Sequence, residues 1–222
     1  MKIIILGLML FLVVGCNGQH DKNINPVIEK KQDTISYYKT NEILKHIEMS
    51  AEPILSQDTI NFYNSLDKNE YVKDSKIYKL RKDGYSYIKS CKLNIQNFTY
   101  YIIYDHHNLK IKRSGVSFIG MPIGVHTYYD ENGKITKERD FDLGFKLTVD
   151  DFILIAKNDL DIDLNKDIEG IRIGRNTKDK DSYFITIPMG YTEIGYYRSR
   201  EIVIDANNGK IIRDEIVTAT ES

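Results

Sequence analysis

The chain of 222 residues has no tryptophan and only two cysteines, Cys16 and Cys91, and its charges nearly cancel, with 31 Lys and Arg against 32 Asp and Glu. Each shortage excludes something. Without a basic excess the electrostatic footprint of a nucleic-acid binder is missing, and no nucleic-acid partner is expected. The only long apolar run is Ile3–Val14, whose 12 residues fall short of the roughly 20 that a membrane-spanning helix needs. No phosphate-cradling glycine loop, serine nucleophile elbow or zinc-type spacing is found. The sequence therefore reads as a non-enzyme with no cofactor.

What is present starts at the N-terminus. Lys2 and the apolar run make the charged and hydrophobic parts of a secretory signal. Gly15 and Cys16 follow, and the chain then turns polar. A plain secretory signal with a stray cysteine is one reading. The alternative is carried by Val13-Val14-Gly15-Cys16, which resembles the bacterial lipobox at which lipoprotein precursors are acylated and cleaved, with Val13 where that family more often has leucine. The resemblance implies that residues 1–15 are removed and that Cys16 carries a thioether-linked diacylglycerol, usually with a third chain on its amine. One acyl chain anchors marginally and two or three anchor firmly, so the chemistry of Cys16 would be attachment to a membrane. The expected location is the bacterial cell envelope, at the outer membrane facing the periplasm. Removal of the leader leaves 207 residues with 30 basic and 32 acidic side chains, enough for one domain or two small ones. Cys91 is then the sole remaining cysteine, and no internal disulfide can form.

Residues 16–36 are polar and read as an acylated flexible tether. In the segment 37–146, Ile43, Leu44 and Ile47 are spaced for a helix behind a Thr40 cap, ended by Pro53. A second helical piece is expected over Asp58–Leu66. From Lys76 the apolar period changes to two. "KIYKLRK", "YSYIKSCKLNI", "FTYYIIY" and "LKIKRSGVSFI" are strand-like and separated by turn residues, which predicts an antiparallel β-meander. Cys91 falls within this alternation and reads as a buried structural thiol, since no partnering base accompanies it. The 16 tyrosines suit strands, and they also suit binding faces, where a large rigid ring carries a polar tip.

Two stretches of the meander are alike. "YYIIYDHHNLKIKRS" and "HTYYDENGKITKERD" each place Tyr-Asp before a turn, and Tyr104-Asp105 and Tyr129-Asp130 lie 25 residues apart. Gly124, Tyr128, Tyr129, Asp130, Asn132, Gly133 and Lys134 resemble the MORN-type hairpin repeat, in the degenerate form of bacterial lipoproteins and antitoxin-like proteins. The first copy departs from it, with His107-Asn108 where Asn-Gly is expected. In 147–222, Thr148 and Asp151 have capping-box spacing, and Val149, Phe152, Ile153, Ala156 and Leu160 mark one apolar helical face. Strands and a hairpin around Asn208-Gly209, a pair suited to a type I′ turn, close the segment. Val203, Asp205, Ala206, Gly209, Lys210 and Ile211 resemble the closing hairpin of the PepSY-type module, a helix on a small sheet. That resemblance implies peptidase inhibition or envelope regulation, which is binding rather than turnover. The fold class is then α+β: N-terminal helices, an antiparallel meander, and a helix packed on an antiparallel hairpin sheet.

Two constellations suggest metals and fail on inspection. Asp161, Asp163, Asn165 and Asp167 have calcium-loop spacing, but Lys166 and Arg172 replace the required Gly and Glu. Adjacent His106 and His107 would point to opposite faces of a strand and suit a polar turn better than a ligand pair. What remains is a lipid-anchored α+β protein that binds another protein, most concretely an immunity or inhibitor lipoprotein acting on a toxin or peptidase. Tyr128, Tyr129, Tyr196 and Tyr197 are the candidate binding residues. The alternatives are a structural or accessory lipoprotein that contacts an envelope component, and an enzyme with an unrecognised pocket.

Overall fold

The computed structural model describes residue 49 and residues 51–219, apart from 94–96, 167–168 and 179–180. The chain divides into two units, Met1–Ser36 and Tyr37–Ser222, and every described residue lies in the second. The lipobox, the tether and the helix expected around Ile43–Ile47 fall outside the described residues. The second expected helix is present as α1, Gln57–Asn64, where the Ser56 hydroxyl accepts the Thr59 N–H at 3.1 Å. A single 3-10 turn follows at Asp67–Asn69. The expectation of N-terminal helices thus reduces, among the described residues, to one short helix, and the fold is a mixed one in which sheet predominates.

The meander is a seven-stranded antiparallel sheet whose spatial order is its chain order. Its strands are β1 (Glu70–Lys73), β2 (Lys76–Asp83), β3 (Ser86–Leu93), β4 (Phe98–Asp105), β5 (Ile111–Phe118), β6 (Met121–Tyr129) and β7 (Ile135–Asp140). Alternation decides which side chains go inside. Leu80, Cys91, Phe98, Ile102, Tyr104, Val116 and Phe118 share the inner face and are buried with Ile60 and Tyr63 of α1. Cys91 is the buried thiol its context predicted, and burial pushes its pKa up.

A second, four-stranded sheet is built from β8 (Arg172–Asn176), β9 (Ser182–Tyr191), β10 (Tyr197–Asp205) and β11 (Ile211–Ala219), in the order β11-β10-β9-β8. Before it stands α2, Val149–Leu160, closed at its N-terminus by the expected capping box: the Thr148 hydroxyl accepts the Asp151 N–H and the Asp151 carboxylate accepts the Thr148 N–H. The five apolar positions predicted for its inner face are the buried ones. Phe152 stacks on Tyr183 of β9 at 4.6 Å between ring centroids, so the helix packs on this sheet. Two buried polar side chains tie the sheets together. Arg175 of β8 donates to the carbonyls of Phe141 and Pro122, and the Asn97 amide donates to the Leu164 carbonyl.

Three hairpin loops share one grammar. Asp105, Asp130 and Asp205 each stand at the end of a strand, and a carboxylate oxygen of each accepts the N–H two residues on. Each loop ends on a residue with positive φ, namely Leu109 (+58°), Gly133 (+75°) and Gly209 (+75°), followed by a lysine. In the first copy the Asn-Gly pair therefore corresponds to Asn108-Leu109 in a loop one residue longer. Around Asn208-Gly209 the expected type I′ turn does not form, because that turn needs positive φ at both residues and only Gly209 has it. A four-residue loop closes instead, with the Gly209 N–H on the Asp205 carbonyl. At Asp105 the Lys112 ammonium, 2.6 Å away, and then the N–H groups of His107 and Asn108 hold the carboxyl pKa down at about 2.

Candidate functional site

The second face of the seven-stranded sheet carries side chains that no core requires. Antiparallel register lines them up across strands. One row runs Arg81, Ile88, Ile103, Arg113, Tyr128 and Lys137; the next runs Lys79, Ser90, Tyr101 and Gly115, with His126 and Arg139 beyond it. The β2–β5 part of this face forms an open groove of about 480 Å³ with Ile88, Ile103 and Tyr101 in its lining, hydroxyls from Ser90, Thr99 and Ser117, and the cations Lys79, Arg81 and Arg113.

Arg113 is the distinctive cation. Its guanidinium lies 5.5 Å from the ring centroid of Tyr101 and 5.9 Å from that of Tyr128, within cation–π range of both. Lys79 meets Glu70 at 3.1 Å and Arg81 meets Asp83 at 3.3 Å, but Arg113 has no carboxylate partner among the described residues.

Tyr101 is itself fixed from below. Its hydroxyl meets His126 Nδ1 at 3.2 Å, and His126 Nε2 lies 2.8 Å from the Val116 carbonyl. A carbonyl only accepts, so Nε2 carries the proton and Nδ1 accepts the tyrosine hydroxyl. His126 is fully buried, with Phe141 packed on it at 4.5 Å, and it occupies the space that Gly115 leaves open. A Cβ on Gly115 would lie 2.4–2.7 Å from three ring atoms of His126. Gly115→Ala is therefore expected to cost about 2 kcal/mol, read as a lower urea midpoint, because a buried ring must shift in a packed site.

Burial, then the positive charge of Arg113, holds the His126 pKa below its ordinary 6.5, although the Val116 carbonyl and Asp142 act the other way. The unfolded chain then takes up the proton first. Stability is greatest above about pH 7 and falls as pH drops through 6.5, by at most about 1.4 kcal/mol per pH unit for one proton. Urea midpoints at pH 7.5 and 5.5 test this: the wild type should lose stability on acidification, and His126→Gln should lose markedly less.

The four tyrosines singled out from sequence do not form one surface. Tyr128 lies in the groove row beside Arg113, while Tyr129 faces the other side, half-buried, with its hydroxyl 3.3 Å from Ser114. Tyr196 and Tyr197 belong to the β9–β10 hairpin of the other sheet, where Tyr197 meets Tyr191 edge-on at 5.7 Å. That hairpin tip exposes Tyr191, Ile194 and Tyr196. Arg113, Tyr101, Ile88 and Ile103 were missed. The signal for Tyr101 and Ile103 was the continuous apolar run in "TYYIIY", which puts apolar residues on both faces of β4 where a half-solvated strand would alternate; Ile88 and Arg113 lie outside it.

The remaining sequence candidates have structural roles. His106 and His107 sit in the β4–β5 loop, with His106 stacked on Tyr87 and His107 on Tyr85. Asp161 is the left-handed cap of α2, Ile162 and Leu164 turn inward, and Asp163 accepts the Asn165 N–H; Asp167 is outside the described residues. Among the described residues no group of three His, Cys, Asp or Glu side chains is placed to hold a metal. No described helix is long and apolar enough to cross a membrane. No family model, curated protein or solved structure matches the chain, so the functional argument rests on the site alone.

Proposed function

We propose that this protein is an envelope lipoprotein, anchored through Cys16, that binds another protein on the outward face of its seven-stranded sheet. The observation that carries the reading is that face itself: a half-buried apolar floor of Ile88, Tyr101 and Ile103 in an open groove edged by cations. A sheet needs one apolar face for its core, and a second one is a cost in solution unless something docks on it. The groove presents a guanidinium beside a tyrosine ring, residue types that dominate binding energy at protein interfaces. The most concrete form of the proposal is an immunity or inhibitor lipoprotein that occludes a toxin or peptidase. The Asp-to-Lys hairpins, with their MORN-like and PepSY-like patterns, are compatible with it.

The test is capture from extracts of the producing cells and their close competitors, using the full chain in mild detergent and reading partners by mass spectrometry. One stoichiometric toxin or peptidase is the expected result. Recovery of envelope-assembly components would favour the accessory-lipoprotein role. No stoichiometric protein from any source would count against the binding reading itself.

A further inference from the structure

The rows across the outward face carry more information than their openness. Ile88 and Ile103 are paired on neighbouring strands, with Arg81 across from Ile88 on one side and Arg113 across from Ile103 on the other. Arg81 and Arg113 are three strand spacings apart, about 14 Å. An apolar patch two side chains wide is thus bracketed by two guanidinium groups. Carboxylates are available only at the margin: Glu70 on the edge strand is engaged with Lys79, Asp83 at the end of β2 with Arg81, and Asp105 at the end of β4 with Lys112. Both of the Arg81 pair's side chains are about 60% exposed, so that pair is readily exchanged. Across β5 to β7 the same face adds Lys137 and Arg139 and no acidic side chain.

We infer that this face binds an acidic segment of a protein, with a carboxylate forked on Arg113 and a neighbouring apolar side chain seated on Ile88 and Ile103. The inference rests on the binding reading above and specifies the chemistry of its partner. Three observations point the same way. The Arg113 guanidinium lies within cation–π range of both Tyr101 and Tyr128 and has no carboxylate partner among the described residues, which leaves its planar fork of donors free for bidentate contact. The ring of Tyr101 is set by its hydrogen bond to the buried His126, so the platform under Arg113 is formed before anything binds. The groove is an open, hydroxyl-lined depression between cations, which suits a polypeptide segment with alternating acidic and apolar side chains; an acyl chain would need an enclosed apolar cavity.

The test is selection of a displayed library of random 12-residue peptides on the purified full chain in detergent, followed by titration of the winning peptides. Peptides with Asp or Glu next to a large apolar residue are expected to dominate. Their affinity should fall at least tenfold for Arg113→Gln and by an intermediate factor for Arg113→Lys, which keeps the charge and loses the fork. It should be unchanged for Arg200→Gln, on the other sheet. Binding should also weaken as salt rises. Circular dichroism and a melting curve on each variant separate lost binding from lost fold, and Ile103→Thr gives a second approach to the same groove. Selection of basic or neutral peptides, selection of none, or acidic peptides that bind Arg113→Gln as tightly as wild type would overturn the inference. A captured partner that binds Arg113→Gln undiminished would retain the binding reading and remove this one. Acidic peptides that bind through Arg113, with no stoichiometric protein in extracts, would do the reverse.

Discussion

Arg175→Met is expected to lower the stability of the described unit by roughly 3 kcal/mol, measured as a fall in the urea midpoint with an unchanged slope. The Arg175 side chain is only 8% exposed. Its guanidinium donates to the Phe141 carbonyl at 2.6 Å, the Pro122 carbonyl at 3.3 Å, Asp142 at 2.7 Å and the Tyr183 hydroxyl at 3.3 Å, and lies over the ring of Phe145 at 4.6 Å. Methionine fills much of the volume but takes the guanidinium donor away from two part-buried chain carbonyls, and an acceptor left unsatisfied in a buried place costs about 1–3 kcal/mol. Asp142→Asn makes the contrast. That carboxylate is half-exposed, so its loss should cost under about 1 kcal/mol. Equal effects of the two changes would mean that the ion pair, and not the carbonyl contacts, holds β8 against the β6–β7 region.

The second large effect concerns the anchor. Wild-type protein expressed in a bacterium that processes lipoproteins is expected to incorporate labelled palmitate and to fractionate with membranes. Cys16→Ala should take the label to background, and Cys91→Ala should leave it intact, since Cys91 is buried on the inner face of β3. At about 0.8 kcal/mol per buried methylene, two or three acyl chains make the difference between stable and negligible attachment. A wild-type protein without label, or a labelled Cys16→Ala variant, would remove the lipoprotein reading and leave the groove argument untouched.

Much of the architecture was legible because strand and helix periods are local properties. The alternation in residues 76–119 marked four strands, and the spacing Val149, Phe152, Ile153, Ala156, Leu160 marked the buried stripe of α2. β1 escaped notice because its four residues, Glu70–Lys73, have no alternation to read, with two half-buried positions followed by two exposed. The turn after Asp105 was foreseen, but its extension to Leu109 was not, because a leucine at φ +58° contradicts ordinary preference; Leu109 packs against the core there. The site was illegible for a different reason. Ile88, Ile103 and Arg113 become neighbours only through the pairing register, and bulges between Ile103 and Tyr104 and between Ser114 and Val116 shift that register where a count from the turns would fail. Of the adjacent tyrosines singled out from sequence, Tyr128 faces the groove side and Tyr129 the other, because neighbouring residues on a strand look to opposite sides.

The chain-order arrangement of the seven strands bears on how the protein becomes functional at all. Every strand from β1 to β7 pairs with its immediate neighbour in sequence, across connections of only a few residues. Loop-closure entropy is small for each such step, and folding rates rise as contacts become more local. Under the proposed lipoprotein reading the chain would be delivered unfolded through an export channel, and it can add one hairpin at a time as it emerges, with no strand waiting for a distant partner. The interval in which "TYYIIY" stands unpaired among other unfolded chains is correspondingly short.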